Sequence, residues 1–202
     1  MVESSNGKRV CVYCASSSSC DAAYHAAAHE LGIVLAEQGF TVVYGGGGAG
    51  SMGALADGAL ARGGHVIGIL PHFMNELEWG HPRISELRLV EDMRTRKHLM
   101  LSESQAVIAM PGGSGTLEEL LEAITLKRLG IFLGPIVLLN TKGFFDPLLA
   151  LFDRAISERF MNERHGEMWQ VVETPREVPQ ALANSPPWSR SEEHTSELQS
   201  HH

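Results

Sequence analysis

Short, uninterrupted runs of branched apolar residues alternate along this chain with stretches of helical periodicity, and no other feature restricts its fold so tightly. Seven runs read as strands: RVCVYCA (9–15), FTVVYGG (40–46), HVIGIL (65–70), LRLVE (87–91), AVIAM (106–110), IVLLN (136–140) and WQVVET (169–174). Between them the spacing predicts helices over 21–38, 51–62, about 92–104, from the turn after 110 to about 129, over 145–160, and a short one after Pro175. In the first helix Ala27, Leu31, Val34 and Leu35 share one face. A strand that is apolar on both sides must be covered on both sides, and an intervening helix returns the chain for another parallel pairing. The expectation is an α/β fold, a doubly wound parallel sheet of about seven strands with helices on both faces. Ligands of such sheets sit beyond the carboxyl ends of the strands, where two glycine-rich loops fall.

The totals bound what this sheet can serve. At 202 residues the chain fits one domain with a substantial core, expected over 1–185. Segment 186–202, PPWSRSEEHTSELQSHH, is polar and aperiodic; it reads as an unstructured tail. Net charge is −8, and no basic run exceeds isolated pairs, so nucleic-acid binding is not expected. No apolar run approaches the roughly 18 residues of a membrane span. MVESSNGKRV has no signal-peptide core, so a soluble, cytoplasmic protein without a membrane partner is expected. Cys11 and Cys14 have C-x-x-C spacing, but within a strand residues i and i+3 point to opposite faces. Buried, unligated thiols are expected there, and the scattered histidines suggest no metal centre. Residues 71–86 form the longest irregular connection, a length often tied to function.

The first glycine loop, YGGGGAGSMG (44–53), contains Gly48-x-Gly50-x-x-Gly53 between a strand and a helix, formally a dinucleotide fingerprint. That fingerprint also needs an acidic residue closing the next strand, and here the strand runs into GILPHF. The Lys-Ser/Thr of a P-loop is missing as well. Two readings stay open: glycines for tight strand–helix packing, or a loop that touches a nucleotide, with Gly46 and Gly47 at its start.

The second loop, AMPGGSGTLEELLEAIT (109–125), runs from a strand into a helix. Gly112, Gly113 and Gly115 let the backbone approach a ligand, and Thr116 adds a hydroxyl. The bare N–H groups of the first turn attract an anion. Glu118, Glu119 and Glu122 would repel it. The pairing points to a site that holds one anionic group and uses carboxylates for something else. Leu117, Leu120, Leu121 and Ile124 form the expected buried stripe, and at about 100° per residue all three carboxylates face away from the core. The plain alternative is a solvated acidic turn favoured by the helix dipole, worth ~0.3–1 kcal/mol per charge. Leu126 and Leu129 continue the outward face, so a second copy of the chain is expected to cover it and enclose the acids in a cleft. DMRTRKHLM (92–100) opens the preceding helix at the same sheet edge, where Arg94, Arg96 and Lys97 offer cations.

Together these stretches resemble the LOG ("lonely guy") family, often mislabelled as lysine decarboxylases. Its hallmark P-G-G-x-G-T-x-x-E is matched by Pro111 to Glu119, and a second, M-H-E-R-K, is matched in part by MRTRK (93–97). The glycine loop over 43–53 and GFFDPLLALFD (143–153) also look like the family, and the likeness spans about residues 8–180. The resemblance implies a Rossmann-like homodimer or higher homo-oligomer. It implies a phosphoribohydrolase that cleaves the N-glycosidic bond of cytokinin riboside 5′-monophosphates, and often of AMP, to free base and ribose 5-phosphate. By motif position Arg96 and Glu119 would be the catalytic pair. Lys97, Gly112, Gly113, Ser114, Gly115, Thr116, Glu118 and Glu78 would contact the nucleotide. No cofactor is expected.

That chemistry reconciles the acids with the anion. The 5′-phosphate would sit on the glycine turn, and Glu119 would stabilise an oxocarbenium-like cation or orient the attacking water. Arg96 would fix either the phosphate or the departing base. A nucleotide- or cofactor-binding carrier on the same fold is the alternative, since fold alone does not set function. The presence of both Arg96 and Glu119 favours the enzyme. Pyridoxal-dependent decarboxylation is disfavoured, because Lys8, Lys97, Lys127 and Lys142 are the only lysines and the chain is small for enclosing that cofactor.

Overall fold

A computed structural model describes residues 8–77 and 79–189. Seven strands form one sheet: β1 (Arg9–Tyr13), β2 (Thr41–Tyr44), β3 (Val66–Pro71), β4 (Glu86–Val90), β5 (Ala106–Ala109), β6 (Ile136–Leu139) and β7 (Gln170–Val172). Their order is β4-β3-β2-β1-β5-β6-β7, and every pairing is parallel. The helices are α1 (Ala22–Glu37), α2 (Gly50–Ala61), α3 (His72–Glu76), α4 (Met93–Ser102), α5 (Ser114–Arg128), α6 (Asp146–Ser157) and α7 (Val178–Asn184). The expected strands and long helices all occur, shifted by a few residues at their ends. The short α3 was not foreseen; it lies in the 71–86 connection, behind Pro71 at its N-cap.

Strand alternation divides the core between two layers. Val10 and Val12 of β1 pack with Leu31 and Leu35 of α1 and Leu55 of α2. Cys11 and Tyr13 face the other way, with Met100 of α4, Leu120 of α5 and Phe152 of α6. Cys14 joins the first layer, so the C-x-x-C pair straddles the sheet as two free, buried thiols. Apart from Arg9 and Thr41, which open β1 and β2, the inner strands are buried, whereas the edge strand β4 alternates, leaving Leu87 and Leu89 partly exposed.

The chain starts in the middle of the sheet, winds outward to β4, then returns to lay β5 against the free side of β1. Strand order therefore reverses between β1 and β5, and the crevice beyond their carboxyl ends is where such sheets place ligands. Among the described residues no helix is long and apolar enough to cross a membrane. Four residues of the expected tail are described. One of them, Trp188, is buried, with the Arg164 guanidinium 4.9 Å from its ring centre. The rest of that tail, 190–202, lies outside the described residues.

Candidate active site

Arg96 sits one turn into α4, which Asp92 caps by accepting from the Thr95 N–H at 2.7 Å. Its side chain runs beneath the carboxyl ends of β2 and β3 and is 5% exposed. Nε donates to the Ile69 carbonyl at 3.0 Å and Nη2 to the Gly45 carbonyl at 2.8 Å. Two main-chain oxygens thus hold the guanidinium in one orientation without neutralising it. Gly45 makes room for this: a Cβ there would lie 1.9 Å from Nη2.

Above Arg96 opens a cavity of about 820 Å³. Ser16, Gly47 and Met52 line one side, and Met74, Trp79 and Pro82 the other. The long 71–86 connection therefore builds a wall of the site. It is stitched to the first glycine loop: Gly48 N–H donates to the Trp79 carbonyl at 2.9 Å and His81 N–H to the Gly46 carbonyl at 2.9 Å, with Gly47 and Gly80 bridged between them. Both readings of that loop find support in the geometry. Gly46 has φ of 78°, and a Cβ on Gly53 would collide with the Gly48 carbonyl at 2.3 Å, so close packing needs glycine. Gly47 nevertheless faces the cavity.

The helix α5 departs from the sequence reading. Its buried face is Thr116, Glu119, Leu120, Ala123, Ile124 and Lys127, so Leu121, expected inside, is 42% exposed. Glu118 and Glu122 face outward as expected, but Glu119 is turned in and only 7% exposed. The stripe keeps the helical period with its centre displaced, and two of its members carry charge. Burial raises the Glu119 carboxyl from 4.5 to about 7; the Arg96 charge opposes the rise, and Glu118 adds to it. Lys97 pairs with both outer acids, Glu118 and Glu122, the latter at 3.1 Å, and offsets one of their two charges. Arg96, Lys97 and the three glutamates thus form one electrostatic group, while Arg94 points to solvent.

Gly113 is the N-cap of α5, so no side chain caps the first-turn amides. A Cβ on Gly113 or Gly115 would meet nothing within 4 Å, which leaves the turn open to a ligand. Gly112 instead packs on Thr116, whose side chain is buried. None of residues 112–119 lines the 820 Å³ cavity, which reaches the group only through Arg96. Glu78 lies outside the described residues. No lysine lines that cavity, and Lys127 is buried with Nζ donating to the Gly134 carbonyl at 2.7 Å. Among the described residues no cluster of His, Cys, Asp or Glu is placed to hold a metal ion.

Sequence reasoning missed the carbonyls of Gly45 and Ile69, because a main-chain acceptor has no residue signature. It also missed Trp79 and His81; an aromatic beside Gly-His-Pro in a long connection was the available signal.

A family model described as "Possible lysine decarboxylase" matches residues 52–182. The cytokinin riboside 5′-monophosphate phosphoribohydrolase LOG of Oryza sativa subsp. japonica is 44% identical over 171 residues, covering 85% of this chain and 71% of its own. A cytokinin riboside 5′-monophosphate phosphoribohydrolase of Arabidopsis thaliana is 43% identical over 155 residues, covering 77% of this chain and 73% of its own. Among solved structures, the molybdenum cofactor carrier protein of Chlamydomonas reinhardtii has a TM-score of 0.67 over 88% of this chain and 99% of that one. At 21% identity that likeness is one of fold. The chain belongs to the LOG family, whose model carries the lysine decarboxylase description.

Proposed function

We propose that this protein hydrolyses the N-glycosidic bond of nucleoside 5′-monophosphates, cytokinin riboside monophosphates and AMP among them, releasing the base and ribose 5-phosphate. The observation that carries the reading is Glu119: an acid turned into the fold and 7% exposed, in the field of a pinned arginine, on the helix whose uncapped first turn is open. The amides of Ser114, Gly115 and Thr116 grip the 5′-phosphate, and Lys97 adds positive charge once its pairing with Glu118 and Glu122 gives way to the ligand. Glu118, Gly112 and Gly113 shape that end of the site; Gly47 borders the cavity that takes the rest of the nucleotide, and Gly46 holds the loop in place through its carbonyl on the His81 amide.

In the reaction the bond from C1′ to the base nitrogen breaks, and its electron pair leaves with the base. Positive charge builds on the sugar, and ionised Glu119 stabilises it. Water adds its oxygen to C1′; one of its protons passes to Glu119 and then to the departing base. Arg96 keeps the base and phosphate ends in register from its two carbonyl anchors. We further propose that a second copy of the chain covers the apolar surface around exposed Leu121, Ile131 and Leu133.

The test is to incubate the protein with AMP, with isopentenyladenosine monophosphate and with the matching nucleosides, and to assay free base. Cleavage of a monophosphate, little cleavage of the nucleosides and near-total loss in Glu119→Gln are expected. A carrier would bind the monophosphate and release nothing, and that outcome overturns the hydrolase reading.

A further inference from the structure

His81 is buried, 6% exposed, and belongs to no step proposed above. Its ring is held on both nitrogens. Nδ1 accepts from the Arg83 N–H at 3.2 Å, so the ring proton lies on Nε2, 3.3 Å from Asp57 Oδ1. The same carboxylate oxygen accepts from Arg83 Nη2 at 2.6 Å. Asp57 stands on α2, the helix that follows the first glycine loop. Residues 81–83 are therefore clasped to α2 by side chains and to Gly46 by the His81 amide.

What the clasp holds in place is a flat aromatic face. Trp79 is 54% exposed, although both of its main-chain groups are engaged, N–H to the Met74 carbonyl and C=O from the Gly48 amide. Trp79 lines the cavity together with Gly47 and Met52. A large, half-exposed ring on a rigid backbone is the residue type that stacks a nucleobase, since every base offers a π-face.

We propose that Trp79 is the face on which the substrate's base stacks, and that His81, through Asp57 and Arg83, is the positioning residue that keeps it there. The inference rests on the nucleotide reading above and adds which end of the cavity takes the base. The base is recognised by stacking area, so purine monophosphates are taken over pyrimidine monophosphates. His81 touches no substrate atom and acts only on where the Trp79–Pro82 wall stands.

The experiment compares wild type, Trp79→Ala, His81→Ala and His81→Gln in AMP cleavage, with ribose 5-phosphate as a competitive inhibitor that lacks a base. Trp79→Ala is expected to raise KM about tenfold or more, with kcat and ribose 5-phosphate inhibition little changed. His81→Ala is expected to reproduce that split. His81→Gln keeps one acceptor and one donor, and is expected to recover most of the wild-type KM. AMP is also expected to quench tryptophan fluorescence in wild type and Glu119→Gln, and not in Trp79→Ala.

Trp79→Ala is a surface change, so it decides the matter even where His81→Ala folds poorly. An unchanged KM for AMP in Trp79→Ala overturns the stacking face while leaving the hydrolase reading intact. Equal weakening of AMP and ribose 5-phosphate in His81→Ala overturns its positioning role. A wild type that cleaves no monophosphate refutes the hydrolase reading instead, and the quench then decides the stacking face by itself.

Discussion

Replacing Glu119 with glutamine should make the protein more stable as it makes it inactive, and the gain should depend on pH in a defined direction. Burial raises the carboxyl from 4.5 to about 7 in the folded chain. Between those two values the folded state holds a proton that the unfolded state has released, so stability falls as pH rises through that window and levels off above it. At about 1.4 kcal/mol per pH unit the whole penalty is about 3 kcal/mol, most of which develops between pH 5 and pH 8. Glutamine has nearly the same shape and cannot ionise. Its own packing and hydrogen-bonding cost is the same at both pH values and cancels in the comparison.

The assay is thermal unfolding of both proteins at pH 5 and pH 8. For a domain of this size the advantage of Glu119→Gln should grow by about 5–10 °C between the two. The same titration should set the acid limb of the rate profile: if ionised Glu119 is the working form, kcat/KM rises with pH through about 7. A stability difference that does not change with pH, or that favours wild type more at pH 8, would refute the claim that Glu119 is buried and strained by its charge.

Two further outcomes probe the surroundings. Gly45→Ala puts a methyl 1.9 Å from Arg96 Nη2, so kcat/KM should fall about a hundredfold or more while the circular dichroism spectrum is retained. Light scattering on the eluted protein should show a dimer or larger assembly that Leu133→Glu converts to monomer; a wild type that elutes as monomer removes the covered-face proposal.

Much of the architecture was legible in the residues because the signals are local. Strands apolar on both sides need cover on both faces, which dictates parallel pairing with crossover helices whatever the details of packing. Alternation along β1 placed Cys11 and Cys14 on opposite sides, ruling out a shared ligand or a redox pair. The glycine turn at 112–115 and the basic start of α4 pointed to the proposed anion site through residue type alone. The period of α5 was equally plain, but its phase was not. Leu121 and Glu119 compete for the inward face, and hydrophobicity awards it to leucine; the fold turns the acid in, where it has Arg96 for a neighbour.

What the residues determined by themselves is therefore the list of parts: seven strands, the helices between them, one open helix N-terminus, and acids and cations at the same sheet edge. Tertiary structure alone decided which glutamate is desolvated and which are paired with Lys97. It also decided where Arg96 finds its two carbonyls and how residues 79–83 clasp the first glycine loop. The reason is range. Strand and helix preferences are settled within a few residues, whereas the charge state of Glu119 and the stance of Trp79 depend on groups brought together from distant parts of the chain by the order of strands in the sheet.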